Sequence, residues 1–117
     1  LKTHRFSRRQ VERWSLDAAV SVLRVLVDPD RLFGIDLHLA VVLDGERTGL
    51  HFRNHIACPT DGHDSEASLT GPREVWNQIL TGSSNVRNAV DLGDLSVQGD
   101  ATQVLQALGS IDHPGFG

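Results

Sequence analysis

The sequence predicts an α+β fold in which a mainly antiparallel, curved sheet is covered on one face by helices. Segments with apolar residues at helical spacing alternate along the chain with segments in which every second residue is apolar. The chain has 117 residues, and 39% of them are hydrophobic. Chains of about 100 to 150 residues usually form a single core. We therefore expect residues 1–117 to form one domain.

The first predicted element is a helix from about Arg8 to Val27. Ser7 stands at the N-cap with Gln10 three residues later, which is the pattern of a capping box. Apolar residues follow near helical spacing at Val11, Ala18, Val22 and Leu26. Pro29 lies just beyond the predicted end, because proline cannot continue a helix. Residues 1–14 are expected to form a basic extension at the start of this helix.

A hairpin is predicted after this helix. The stretch IDLHLAVVLD carries its apolar side chains on one parity, namely Ile35, Leu37, Leu39, Val41 and Leu43. This alternation predicts a strand with one buried face. Asp44-Gly45 marks a tight turn, after which TGLHFRNHI returns with Leu50, Phe52 and Ile56 on the apolar parity. CPTDGHD is predicted to be a loop, SEASLTG a short third strand, and the sheet largely an antiparallel meander.

The remaining part of the chain is predicted to contain two helices and a fourth strand. In LTGPREVWNQILTG, Gly71 is the expected N-cap, Pro72 the first helical residue and Gly82 the residue just past the end. The apolar stripe of this helix comprises Val75, Trp76, Ile79 and Leu80. After a polar loop, DLSVQG predicts a strand, and the capping box DATQ opens a last helix. That helix is expected to bury Val104, Leu105 and Leu108 and to end at Gly109.

Composition and charge exclude several classes of function. The net charge of −4 disfavours nucleic acid as a general partner. Five basic residues near the amino terminus are expected to form a solvated helix face: Lys2, Arg5, Arg8, Arg9 and Arg13. No apolar run approaches the roughly 18 to 20 residues of a membrane-spanning helix. Cys58 is the only cysteine, which rules out an internal disulfide and leaves the cytoplasm as the expected location.

The sequence begins at Leu1 and contains no methionine, so we expect it to be a trimmed piece of a longer chain.

Potential metal ligands and nucleophiles are concentrated between residues 51 and 64: His51, His55, Cys58, Asp61, His63 and Asp64. On a strand, His51 and His55 would share a face but lie roughly 13 Å apart at about 3.3 Å per residue, too far to bind one ion. A loop set of His55, Cys58, His63 and Asp64 remains an alternative. Cys58 has no identifiable base, and the sequence contains no phosphate loop, dinucleotide-binding turn or serine nucleophile elbow. We expect no metal site, no cofactor and no catalysis by this chain alone.

The order of the segments ASLTG, PREVWNQILTG, GDLSVQGD and ATQVLQALGSID resembles the second half of the sterol carrier protein 2 (SCP2) fold. It is similar in particular to the SCP2-like domain at the carboxy end of alkyl sulfatases. Upstream, SVLRVLVDPDRL and IDLHLAVVLDGERTGLHFRNHI resemble that domain's helix and hairpin, whose second strand ends in an Arg-Asn pair, here Arg53-Asn54. The resemblance covers about residues 15–112.

This resemblance implies an apolar cavity between sheet and helices that holds a fatty acyl, alkyl or sterol-like chain. In the alkyl sulfatases, such a domain accompanies a zinc-dependent catalytic domain and supplies apolar surface for the substrate's tail. The closely spaced His and Asp residues of that catalytic domain do not occur here. The inward positions expected to form the cavity walls are Leu39, Val41, Leu50, Phe52, Leu69, Trp76, Ile79, Leu80, Leu105 and Leu108.

Two functions remain open at this point. Burying an alkyl chain gains about 0.8 kcal/mol per methylene, so a twelve-carbon tail gains on the order of 8 to 10 kcal/mol before ordering costs. The alternative is a fully packed domain that binds a protein partner, a companion domain or a second copy of itself. An aromatic content of 5% and the absence of methionine favour this alternative, since plastic lipid pockets often use both residue types. Trp76 fits either function, because tryptophan joins a large apolar area to an N–H that requires a partner.

Overall fold

Five strands form one sheet, and helices cover one face of it, in a computed structural model that describes residues 6–32 and 34–116. The strands are β1 (Leu37–Leu43), β2 (Glu46–Arg53), β3 (Ile56–Thr60), β4 (Ala67–Gly71) and β5 (Ser96–Gln98). The helices are α1 (Arg8–Glu12), α2 (Leu16–Ser21), α3 (Arg73–Leu80), α4 (Val86–Leu92) and α5 (Ala101–Leu108), with a 3₁₀ turn at Val22–Val25. This architecture confirms the predicted α+β class.

The strand order is β3-β2-β1-β4-β5, and it differs from the predicted meander. Three of the four pairings are antiparallel, whereas β1 and β4 run parallel, with Leu39 opposite Ala67 and Val41 opposite Leu69. In a meander, β4 would pair with β3. Pro59 of β3 has no backbone N–H to donate, which suits β3 to the edge of the sheet that it occupies. The sheet is therefore mainly antiparallel, but the meander prediction is wrong at β4.

A second hairpin, which joins β2 to β3, was not predicted from the sequence. Asn54 and His55 both have positive φ, 52° and 66°, as a two-residue hairpin turn requires. Arg53 then pairs directly with Ile56, so both residues lie on the same, outer face of the sheet. Ile56 is 52% exposed. The prediction that Ile56 continues the buried parity of β2 is wrong, because the turn resets the alternation.

The predicted helix from Arg8 to Val27 is interrupted. Ser7 caps α1 by accepting the N–H of Gln10, as expected. Ser15 caps α2 in the same way, by accepting the N–H of Ala18 at 3.1 Å. A serine that bonds the backbone in this manner competes with continuation of the preceding helix. The break therefore has a cause in the sequence, a second N-cap serine that the apolar spacing concealed.

The predicted basic face of this segment is described in part. Lys2 and Arg5 lie outside the described residues. Arg8, Arg9 and Arg13 are exposed, which agrees with a solvated face.

Helix α1 is nevertheless attached to α3. The Arg8 guanidinium donates to the Glu74 carboxylate, and this hydrogen bond is the main cause that lowers the pKa of Glu74 and raises that of Arg8. Arg73 Nη2 donates to the carbonyl oxygens of Val11 at 3.1 Å and Trp14 at 2.9 Å. These contacts supply donors at the carboxy end of α1, where the carbonyl groups of a helix lack internal N–H partners. The amino-terminal segment is thus held against the body of the fold.

The polar loop predicted between α3 and β5 contains helix α4. Asn85 caps it by accepting the N–H of Asn88 at 2.8 Å, and Gly93 ends it with a φ of 82°. Val86 and Ala89 are at most 2% exposed. The cap and the closing glycine are both visible in the sequence, but the helix has too few apolar residues for its period to stand out.

Helices α3 and α5 lie where the sequence predicts them, with small differences. Pro72 is the N-cap of α3, because Gly71 still belongs to β4 and pairs with Leu43. Gly109 ends α5, as expected. The buried stripe of α5 consists of Val104, Ala107 and Leu108. Leu105 was expected in this stripe but lies at its edge and is partly exposed.

Candidate functional site

The residues predicted to line a cavity meet in the layer between the sheet and the helices. They come from β1 (Leu39, Val41), β2 (Leu50, Phe52), β4 (Leu69), α3 (Trp76, Ile79, Leu80) and α5 (Leu105, Leu108). They come together because alternate strand residues point to one face and the apolar stripes of the helices cover that face. All except Leu105 are at most 1% exposed. Any chain that enters this layer must separate the helices from the sheet.

Trp76 lies within this layer with its polar group bonded. The indole Nε1 donates to the carbonyl oxygen of Ala19 on α2 at 3.0 Å, and the side chain is fully buried. Its ring meets Phe116 edge to face, with centroids 5.4 Å apart and planes at 71°. This arrangement satisfies the N–H inside the fold and ties α3 to α2.

The segment after α5 closes one end of the layer, a role that was not predicted from the sequence. His113 is 3% exposed and accepts the N–H of Gly115 at Nδ1, which leaves Nε2 to donate to the Leu80 carbonyl at 2.8 Å. Phe6 stacks on the His113 ring with centroids 5.9 Å apart, and Phe116 meets the same ring edge to face at 5.3 Å. The apolar residues of this stretch, Ile111 and Phe116, were the available signal.

A surface cleft lies beside α4 and α5 and touches the candidate set at Leu105. It has a volume of about 370 Å³ and is lined by Arg87, Thr102, Leu105 and Gln106. Small-molecule pockets commonly have volumes of about 300 to 1,000 Å³. Arg87 is exposed and forms no ion pair with the described residues. The cleft thus combines one leucine from the edge of the core with a cationic group that suits an anionic head. Arg87 was not predicted as a site residue, because helix α4 was not predicted from the sequence.

The outer face of the sheet carries a compact polar group of Asp36, His38 and His51. His38 on β1 and His51 on β2 are cross-strand partners, and their rings stack with centroids 3.6 Å apart and planes at 18°. His51 Nε2 lies 2.7 Å from Asp36 Oδ1. This hydrogen bond, with a smaller contribution from the positive charge of Arg53, lowers the pKa of Asp36. The three side chains each offer one ligand atom, and these atoms lie within 4.8 Å of one another.

The alternative cluster considered from the sequence does not assemble. The His55 ring contacts the Pro29 carbonyl, and His63 contacts the Arg47 guanidinium. Among the described residues, the group of His55, Cys58, His63 and Asp64 does not bring three ligand atoms within reach of one ion. His55 lies in the turn after β2 and is therefore separated from His51, although the two are close in sequence. Strand register instead joins His51 to His38.

Comparisons with known proteins agree with this architecture. The family model for the alkyl sulfatase C-terminal region matches residues 6–116. The fold is similar to part of the inverting sec-alkylsulfatase Pisa1 from Pseudomonas sp., with a TM-score of 0.73 and 19% identity over 86% of this chain. The chain spans only 17% of that protein's length. No curated protein sequence matches the chain.

Two SCP2 proteins share the fold as well. A palmitated SCP2-like protein from Aedes aegypti has a TM-score of 0.58 and 14% identity, and the match covers 78% of this chain and 88% of that one. The apo sterol carrier protein 2 of Yarrowia lipolytica has a TM-score of 0.53 and 16% identity, with 71% and 78% covered. Within the described ranges, no helix is both long and apolar enough to cross a membrane.

Proposed function

Because this chain belongs to the alkyl sulfatase C-terminal family, we propose that it is a non-catalytic module that binds the alkyl or acyl tail of an amphipathic ligand. The observation that carries the proposal is the apolar layer between sheet and helices, which reaches the surface at Leu105 beside the cationic Arg87. The palmitated SCP2-like protein from Aedes aegypti, which shares the fold, supports a ligand with an acyl chain. In a longer protein, the module would recruit an alkyl-chain substrate for a companion domain.

The ligand's tail would enter between α4 and α5. Helix α4 buries only Val86 and Ala89, and its last residue, Leu92, is 78% exposed, so this helix has little apolar surface to lose on moving. The tail would pass Leu105 and replace contacts between the helices and the sheet. Each methylene buried in this way gains about 0.8 kcal/mol, which offsets the packing lost when α4 shifts.

The head of the ligand would remain at the surface near Arg87. A guanidinium donates hydrogen bonds to sulfate or carboxylate oxygens in a paired geometry, and these charge-assisted bonds are stronger than neutral ones. We therefore expect a preference for alkyl sulfates and fatty acids over uncharged alcohols of the same length. Salt should weaken this preference, because Arg87 is exposed to solvent.

The experiment is a calorimetric titration of the protein with dodecyl sulfate and with a fatty acid, both below their micelle concentrations, with circular dichroism recorded throughout. We expect saturable binding of one ligand per chain without loss of secondary structure. Leu105→Asp should weaken binding at least about tenfold by placing a charge in the path of the tail. The matched control is Leu92→Asp on the exposed end of α4, which should leave affinity unchanged.

The proposed contact between Arg87 and the ligand's head group is tested separately. Arg87→Gln should weaken binding of dodecyl sulfate but leave binding of dodecanol unaltered. Binding that is linear in ligand concentration, or equal in the Leu105 and Leu92 variants, would contradict insertion at this cleft.

A packed interaction domain is the second candidate. It is favoured by the closure of the layer, where nine of the ten candidate side chains are buried and the Trp76 N–H already has a partner. Such a domain would act through its surface, for example as a homodimer or against a companion domain. Native mass spectrometry separates the two functions, since a co-purified lipid supports the first and a clean dimer mass without lipid supports the second.

A further inference from the structure

We propose that the outer face of the sheet binds one divalent transition-metal ion, of the Zn²⁺ type, through Asp36, His38 and His51. This site lies on the opposite face of the sheet from the apolar layer and does not depend on ligand binding there. Two imidazoles and one carboxylate form a donor set typical of zinc sites that keep an open coordination position.

The backbone positions the two histidines for a shared ion. β1 and β2 pair without interruption from Leu37 opposite Phe52 to Leu43 opposite Glu46, and this register places His38 directly across from His51. Their rings are in contact and nearly parallel. Asp36 directly precedes β1, and its carboxylate reaches His51. Because strand pairing already holds the two histidines together, an ion does not have to bring them together from separate mobile loops.

To accept an ion, the two rings must turn about their Cβ–Cγ bonds, because stacked rings hold their in-plane nitrogen lone pairs side by side and these lone pairs must meet at one ion. Donor atoms around a tetrahedral Zn²⁺ stand about 3.3 Å apart, given metal–ligand distances of about 2.0 to 2.1 Å. The three ligand atoms here lie within 4.8 Å of one another, and the Asp36–His51 pair is at 2.7 Å. The Asp36 side chain is 72% exposed and can move outward, whereas that of His51 is 14% exposed and held by the sheet. An ion would then take the place of the hydrogen between Asp36 and His51.

The surroundings of the site are mixed in charge. Glu66 accepts the backbone N–H of His38 at 2.9 Å, so a second carboxylate stands beside the cluster. Arg53 interacts with Asp36 and opposes a cation. Cys58 lies across from His51 on β3, but its sulfur is not within the group of three ligand atoms. We therefore assign three protein ligands and expect water at the open position.

The test is calorimetric titration of the full chain, without an affinity tag, with Zn²⁺. We expect one saturable site per chain. His38→Asn, His51→Asn and Asp36→Asn should each weaken it at least about tenfold, a loss that even outer contacts of metal sites commonly cause. All three side chains are at least partly exposed, and circular dichroism verifies that each variant is folded.

Two matched controls make the ligand set specific. His63→Asn removes an exposed histidine outside the cluster, and Cys58→Ser removes the thiol beside His51; both should retain the affinity within about twofold. Ring resonances of His38 and His51 should shift together at one equivalent of Zn²⁺ in NMR spectra. The proposal is overturned by the absence of saturable binding, by unchanged affinity in the three ligand variants, or by an equal loss in either control.

Discussion

Trp76 and Ala19 join helix α3 to helix α2 through one buried hydrogen bond, in which the indole Nε1 donates to the carbonyl oxygen at 3.0 Å. Both residues are fully buried. Ala19 lies in the last turn of α2, where carbonyl groups run short of partners within the helix. The bond therefore gives the indole N–H a partner inside an apolar layer. It also gives a carbonyl oxygen near a helix end a donor.

Replacing Trp76 should reduce stability in two steps. Trp76→Phe removes the donor but keeps most of the ring, and we expect a loss of about 1 to 3 kcal/mol in the free energy of unfolding. Trp76→Ala also removes the packed ring and should cost about 3 to 5 kcal/mol. Urea unfolding measures both, with Trp14→Phe on the partly exposed Trp14 as the control of smaller effect. If Trp76→Ala weakened alkyl-chain binding without destabilising the protein, Trp76 would instead line an open cavity.

Removing the Arg73 side chain should release α1. Arg73→Met keeps the aliphatic stem but loses the bonds to Val11, Trp14 and Asn77, and we expect a loss of about 1.5 to 3 kcal/mol. Amide hydrogen exchange should accelerate in α1 more than in the sheet. Arg9→Met is the matched control, because Arg9 is an exposed arginine on α1 itself. Equal exchange rates in the two variants would show that Arg73 does not hold this helix.

The Arg8–Glu74 pair should make stability depend on pH in the acid range. The folded-state pKa of Glu74 lies below its ordinary value of 4.5, chiefly because Arg8 donates to the carboxylate. A depressed pKa contributes stability that is present above 4.5 and is lost as pH falls through the folded-state pKa. Wild type should therefore exceed Glu74→Gln in stability at neutral pH, and the difference should vanish in acid.

Thermal unfolding across the acid range measures this difference. Arg8→Gln should abolish it by removing the main cause of the shift. A difference that grows as pH falls would contradict the assigned sign.

Gly49 is required where the chain after β3 approaches β2. A Cβ at this position would stand 2.5 Å from Thr60 Oγ1 and 2.7 Å from Gly62 Cα. We expect Gly49→Ala to destabilise the protein by about 1 to 3 kcal/mol, as overpacking does. Thr60→Ala in the same chain should not restore stability, because the backbone of Gly62 remains in place. Full recovery in that double variant would mean that only the threonine hydroxyl limits the approach.

Local patterns in the sequence predicted the elements with strong periods and caps. The alternation from Leu37 to Leu43 and the turn at Asp44-Gly45 predicted the β1–β2 hairpin, whose pairing confirms it. The cap signals of α3 and α5 located these helices to within about one residue. Each of these signals acts over a few residues, so no knowledge of distant neighbours is needed.

Elements whose caps are not matched by a clear apolar period were missed or misplaced. Helix α4 has few apolar residues, and the break at Ser15 lies inside an apolar spacing that continues on both sides. After the first two hairpins form, both β1 and β3 have a free edge, and no local signal in the sequence decides which of them β4 joins. The partner of β4 depends on contacts throughout the sheet and with the helices that cover it.

The candidate sites likewise combine features that the sequence predicts with contacts that only the fold creates. The sequence by itself determined most of the inward positions, including nine of the ten residues predicted to line the apolar layer, because parity and helical period are fixed by backbone geometry. Only the tertiary structure decided that Trp76 bonds to Ala19, that Leu105 reaches a cleft beside Arg87, and that Asp36, His38 and His51 meet. These contacts join residues far apart in the chain or on separate elements. Their proximity follows from strand register and helix packing, in which many weak interactions across the whole fold must be satisfied together.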